Sequence, residues 1–140
     1  MSAVTDFCIK ECERQNDLTT EAVAGMVEAW YTASHSHFEP FTIGGILILG
    51  KLLKPQNKNF RNTPVVFQNG NSGVDYREID RLLNNLFENR YDITYDEFYI
   101  EFEKIHPFED GNGRLGAILW NLLQYNYEPV CPPDFFNEDN

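Results

Sequence analysis

Basic side chains are scarce: 11 Lys and Arg stand against 22 Asp and Glu, giving a formal net charge of −11 and an isoelectric point near 4.5. A surface of that sign repels phosphate polymers and anionic headgroups, which disfavours nucleic acid and membrane surfaces as partners. A bound nucleotide is still allowed, because a local nest of backbone N–H groups with a metal ion overrides the overall field. Cysteine is scarce too. Cys8, Cys12 and Cys131 are an odd set with the first two one helical turn apart, which is no disulfide framework and fits a reducing, cytoplasmic setting. The first residues lack the basic start and apolar run of a secretory signal. The longest apolar stretch, Phe41 to Leu53, is broken by Gly44, Gly45, Gly50 and Lys51 and is too short to span a bilayer.

What the chain does have is 140 residues, 42% of them hydrophobic, with 11 Phe and 7 Tyr. That is enough for one domain over residues 1–140, which by surface-to-volume scaling buries about two-thirds of its unfolded surface without disulfide or metal.

Val23, Met26, Val27, Trp30 and Tyr31 recur at spacings of three and four, so Thr20 to His35 reads as a helix behind N-capping threonines. Thr42 opens a second, more buried helix that runs through Lys54 and stops at Pro55. A weaker pattern suggests a helix over Thr5 to Gln15. Between Phe60 and Tyr76 a β-branched and aromatic run, a turn of Asn and Gly, and Val74 and Tyr76 predict a small hairpin. Asp75 to Glu78 resembles a capping box opening a helix with Ile79, Leu82, Leu83, Leu86 and Phe87 on one face. Thr94 to Ile105 carries both strand alternation and helical spacing; its Thr94–Glu97 capping box and its length favour helix. A final helix is expected over Asn112 to Gln124, and an irregular acidic tail from Glu128 to Asn140.

The chemistry concentrates in His106-Pro-Phe-Glu-Asp-Gly-Asn-Gly-Arg114, between two expected helices. His106 accepts a proton near neutral pH. Asp110 offers a hard oxygen to magnesium. Gly111, Asn112 and Gly113 let successive N–H groups converge on an anion at a helix N-terminus, and Arg114 adds a planar fork for phosphate oxygens. Two plainer readings compete. Gly111 to Gly116 matches the G-x-G-x-x-G of dinucleotide folds, with Asp134 downstream, but no strand leads directly into it and no parallel strand follows. The loop is also readable as a structural turn with His106 capping the preceding helix.

His106 to Arg114 resembles the signature of the Fic family, H-x-F-x-[D/E]-G-N-G-R followed by two free positions and a second Arg, and every specified position through Arg114 agrees. The resemblance covers roughly residues 20 to 125. It implies a mainly α, Fic-like helical core with a small β-hairpin flap, and a protein adenylyltransferase moving AMP from ATP to a Ser, Thr or Tyr hydroxyl. By similarity His106 is the general base, and Phe108 anchors the loop in the core. Asp110 would hold Mg²⁺, while Gly111, Asn112 and Gly113 would cradle the transferred phosphoryl group and Arg114 its neighbour. The flap, about Thr63 to Tyr76, would take the target protein as an added strand.

Where the family has its second Arg, this chain has Ala117. Two other readings follow: a Doc-like kinase or a transferase using another phosphate-linked donor, and a Fic fold that binds without catalysis. Doc-like relatives commonly carry Lys where this chain has Gly113. The family's inhibitory pattern [S/T]-x-x-x-E-[G/N] has no match, since Asn84 precedes Glu88-Asn89 at the key position, so any inhibitor is expected to be a separate partner. Cys8, Cys12, His35 and His37 share no convincing zinc spacing. Trp30, Tyr31 and the aromatics from Tyr95 to Phe102 read as core, and Glu97, Glu101, Glu103 and Glu109 as a solvated face.

Overall fold

The computed structural model describes residues 2–67 and 69–135. Among them six α-helices form: α1 (Ala3–Arg14), α2 (Thr20–Ala33), α3 (Ile43–Leu53), α4 (Ile79–Glu88), α5 (Tyr95–Ile105) and α6 (Asn112–Leu123). The chain is mainly α. Each of the first three helices starts where a hydroxyl accepts an orphan N–H: Ser2 from Thr5 at 3.1 Å, Thr19 from Ala22 at 3.1 Å, and Thr42 from Gly45 at 2.9 Å. Thr94 and Glu97 close a reciprocal capping box at α5, which settles that segment as helix.

The centre of the molecule is α6. Apart from Trp120, every residue from Asn112 to Leu123 is buried, so this helix is enclosed on all faces rather than along one stripe. It packs against α1, α2, α3 and α5, and one continuous apolar cluster runs through all six helices.

Several expectations need correction. Asp75 forms no capping box: its carboxylate accepts from the Arg77 N–H at 2.9 Å and opens a single 3-10 turn, Tyr76–Glu78, after which α4 begins without a side-chain cap bond. The expected hairpin is reduced to one antiparallel bridge between Val66 and Ser72, supported by Phe67 N–H to Asn71 O and Gly73 N–H to Val65 O, both 2.8 Å. Two short arms with no third strand beside them among the described residues do not propagate a ladder. Tyr31 and Tyr95 are exposed, and Glu103 is partly enclosed rather than on a solvated face.

The tail is irregular as expected but held in place as far as Phe135. Asn121 donates to Val130 O at 2.8 Å and accepts from its N–H, Arg14 donates to Pro132 O at 2.8 Å, and Phe135 packs on Tyr99. The rest of the expected tail, 136–140, lies outside the described residues, as does Gln68 in the flap. Among the described residues no helix is long and apolar enough to cross a membrane.

Near Tyr99 and Arg14 the Glu103 carboxyl is enclosed, with Oε1 unpartnered among the described residues, and burial followed by the neighbouring Glu11 pushes its pKa to about 7 from 4.5. A carboxyl raised on folding stabilises the protein fully below pH 4.5, and that contribution is lost as pH rises through about 7. Glu103→Gln should flatten this slope and leave the variant roughly 1–3 kcal/mol more stable than the parent at about pH 8. Urea midpoints measured across that range check it; parallel profiles for parent and variant would contradict it.

Candidate active site

α5 ends at His106, which sits in the left-handed region at φ 50° as the helix C-cap. Its N–H still reaches back to Phe102 O at 3.0 Å, but the chain then turns away through Pro107. The reversal throws the imidazole out of the helix toward the flap, where it meets the Phe67 ring edge-to-face at 5.3 Å between centroids. The Phe108 ring inserts fully into the core, against Phe60 and flat on Gly50, where a Cβ would overlap it. Phe108 is therefore the loop's anchor.

The loop closes on Asn112. Its side-chain oxygen accepts from the Phe108 N–H and its amide donates to Phe108 O, both at 2.9 Å. The Asn112 side chain is thus engaged within the loop, and its first-turn N–H is what remains for an anion. Gly111, at φ 87°, makes the left-handed step that aims the start of α6 outward, a conformation costly to any residue with a Cβ. Its N–H is taken by Asp110 Oδ1 at 2.8 Å. Gln15, just past α1, lies over Gly113, where any Cβ would meet its side chain.

Asp110 is about half exposed, whereas Arg114 is almost fully buried, 1% exposed at its side chain. Arg114 donates to Asp17 at 2.9 Å and to Asp110 at 3.4 Å, and its buried Nε has no acceptor of good geometry among the described residues. Lys54, at the C-terminal cap of α3, reaches Asp17 at 2.7 Å and Asp110 at 3.5 Å. These partners hold Asp17 below the usual carboxylate range, through the Lys54 hydrogen bond first, and raise Lys54 in turn. Ala117 is completely buried, so no guanidinium stands at the position one turn beyond Arg114.

Burial, followed by the Arg61 guanidinium, lowers the His106 pKa below its ordinary 6.5; the Glu103 carbonyl and Asp110 oppose with smaller effects. The shift favours the neutral ring, the form that a proton acceptor needs. Its Nδ1 is buried and makes no hydrogen bond of good geometry among the described residues, although the Glu103 carbonyl lies near enough to the ring to raise its pKa.

Asp110, Gly111, Asn112, Gly113 and Arg114 thus stand at the α6 N-terminus, and the His106 ring, turned toward the flap, lies near enough to Asp110 to feel its charge. Four further residues shape the site without a local signal in the sequence. Asn57 ties the Asp110 carbonyl, at 2.8 Å, to that of Gly50, at 3.2 Å. Arg61 binds the carbonyls of His106, Ile105, Thr63 and Val74, joining the flap to the His106 loop. Asp17 and Lys54 complete the charge cluster from elsewhere in the chain. The Cys and His pairs gather no metal site: Cys8 and Cys12 are buried in the core, and no cluster of three metal-ligating side chains occurs among the described residues.

Comparison with known families gives the same reading. The family model of the Fic/DOC family matches residues 53–124, just over half of the chain and including the whole loop from His106 to Arg114. No curated protein matches the chain.

Proposed function

The chain belongs to the Fic/DOC family, and from that premise we propose that it is a Mg²⁺-dependent protein adenylyltransferase using ATP as donor. The observation that carries the proposal is the placement of the His106 imidazole on the same short loop as a carboxylate, an anion nest and a buried Arg. In this reading His106 removes the proton from a target Ser, Thr or Tyr hydroxyl as its oxygen bonds to the α-phosphorus. The bond from that phosphorus to the bridging oxygen breaks, and pyrophosphate leaves. The N–H groups of Asn112, Gly113 and Arg114 meet the charge developing on the transferred phosphoryl group, and the Arg114 fork takes the phosphate beside it.

The donor set suits magnesium. Asp110 presents one hard, half-exposed carboxylate, and Mg²⁺ is usually held by one or two carboxylates together with substrate phosphates rather than by an all-protein cage. Asp110 would hold it, and the ion would neutralise donor phosphate charge when bound.

The target would lie along the flap. A groove of about 270 Å³ is lined by Pro64, Val65, Ser72, Gly73 and Val74 among others. The sparse pairing at Val66 and Ser72 leaves main-chain groups there for an added strand.

Because His106 must be unprotonated, the transfer rate should fall only on the acid side, with its inflection below pH 6.5. A kcat/KM profile inflecting above pH 7 would contradict the assignment. The reaction is tested by peptide mass spectrometry of lysate proteins incubated with the chain, Mg²⁺ and ATP. AMP adducts on hydroxyl residues support it, and phosphate adducts support the kinase reading instead. That second reading has one observation in its favour: Ala117 leaves no cation one turn beyond Arg114 to grip a terminal phosphate.

A further inference from the structure

Asp17 Oδ2 accepts from two cations at once, Lys54 Nζ at 2.7 Å and Arg114 Nη1 at 2.9 Å. A carboxylate oxygen shared by an ammonium and a guanidinium occupies the position that a phosphate oxygen would take between the same groups. We infer that Lys54 is the second donor-phosphate cation of this site, gripping with Arg114 the phosphate next to the one transferred, and that Asp17 holds their place until the donor arrives. The inference rests on the donor-site reading above and adds a ligand to it.

Three observations support it independently of that shared oxygen. The Lys54 side chain runs beside the nest, since a Cβ on Gly111 would come within 3.8 Å of Lys54 Cγ. Among the described residues the buried Arg114 Nε has no acceptor of good geometry, so the two carboxylates do not satisfy every donor of the guanidinium. Lys54 and Asp17 are each about one-fifth exposed whereas Arg114 is fixed in the interior, so the two rim groups are free to part while the guanidinium stays. Lys54 comes from the end of α3, a different element from the one that carries Ala117. The donor site therefore has two cations without a second Arg on α6.

The charges give the direction of the effects. Asp17 repels an incoming phosphate and competes for both cations, so Asp17→Asn should tighten binding. Lys54→Gln removes a cation and should weaken it. Calorimetric titration of the full chain with ADP, pyrophosphate and AMP, in Mg²⁺, tests both. Expected are roughly tenfold tighter ADP and pyrophosphate binding for Asp17→Asn, and roughly tenfold weaker binding for Lys54→Gln. AMP, which lacks the neighbouring phosphate, should be indifferent to Lys54→Gln. Thermal melts of both variants exclude unfolding as the cause, and the opposite signs of the two effects are not what a shared loss of structure produces. Arg114-dependent ADP binding that neither variant changes would overturn this inference and leave the donor site standing. Absence of binding by the parent and by Asp17→Asn would overturn both.

Discussion

His106→Asn is expected to lower the rate of transfer by about 10²- to 10⁴-fold, the usual contribution of a positioned general base. Asparagine is the replacement to use. His106 stands at φ 50°, and Asn tolerates the left-handed region better than Ala does, so the turn that delivers the ring survives its removal. The contact with Phe67 is lost, but Phe108 and the Asn112 clamp still fix the loop. The proposed donor ligands are other groups, so ADP affinity should change by less than about twofold, within 0.4 kcal/mol. A variant that retains transfer within a few-fold of the parent would remove His106 from the chemistry.

The largest effect on stability is expected at Arg61. This nearly buried side chain donates from Nε to His106 O at 2.6 Å, from Nη1 to Thr63 O at 2.8 Å, and from Nη2 to Val74 O at 2.7 Å and Ile105 O at 3.2 Å. Two of those carbonyls belong to the last turn of α5, where backbone acceptors lack helical partners and the dipole favours a cation. The other two stand at the two sides of the flap's base. The Arg61 N–H adds a bond to Pro107 O at 2.9 Å. One guanidinium thus caps α5, closes the flap and holds the His106 turn against it. Arg61→Met keeps much of the volume but strands these acceptors, and should cost about 3–5 kcal/mol, a large part of a small domain's total. Arg61→Lys should recover little, because a point charge does not span carbonyls arranged for a planar fork. Urea unfolding measures both; a loss below about 1 kcal/mol for Arg61→Met would show that the network is incidental.

The helices were legible because their starts are chemical and local. Thr42 and Thr94 cap the helices expected of them, and α2, α3, α5 and α6 end within two residues of their expected limits. Spacing defines a face but not its depth. Tyr31 lies on the apolar stripe of α2 yet is exposed, and α6 is buried on the side that its small residues Gly113, Gly116 and Ala117 open to neighbours. Asp75 had two local partners available, and the Arg77 N–H and guanidinium took it rather than a helical cap.

The signature loop was readable because its parts are contiguous. Its supports were not, since Arg114 finds Asp17 across 97 positions and Arg61 finds His106 across 45. Nothing in a local window marks an isolated Asp before α2 or a Lys before Pro55 as a member of the charge cluster around Arg114 and Asp110. Glu103 carried the opposite ambiguity: an acid on a helix among other acids reads as solvated, and only the fold brings it over Gly116 of α6 and near Glu11 and Arg14 of α1.

The most direct test is label transfer. The full chain and its His106→Asn variant are incubated with lysate, Mg²⁺ and ATP labelled at either the α- or the γ-phosphate. The expected result is α-label on protein that depends on His106, with no His106-dependent γ-label. His106-dependent γ-label alone, or no label from either position, would contradict adenylyl transfer.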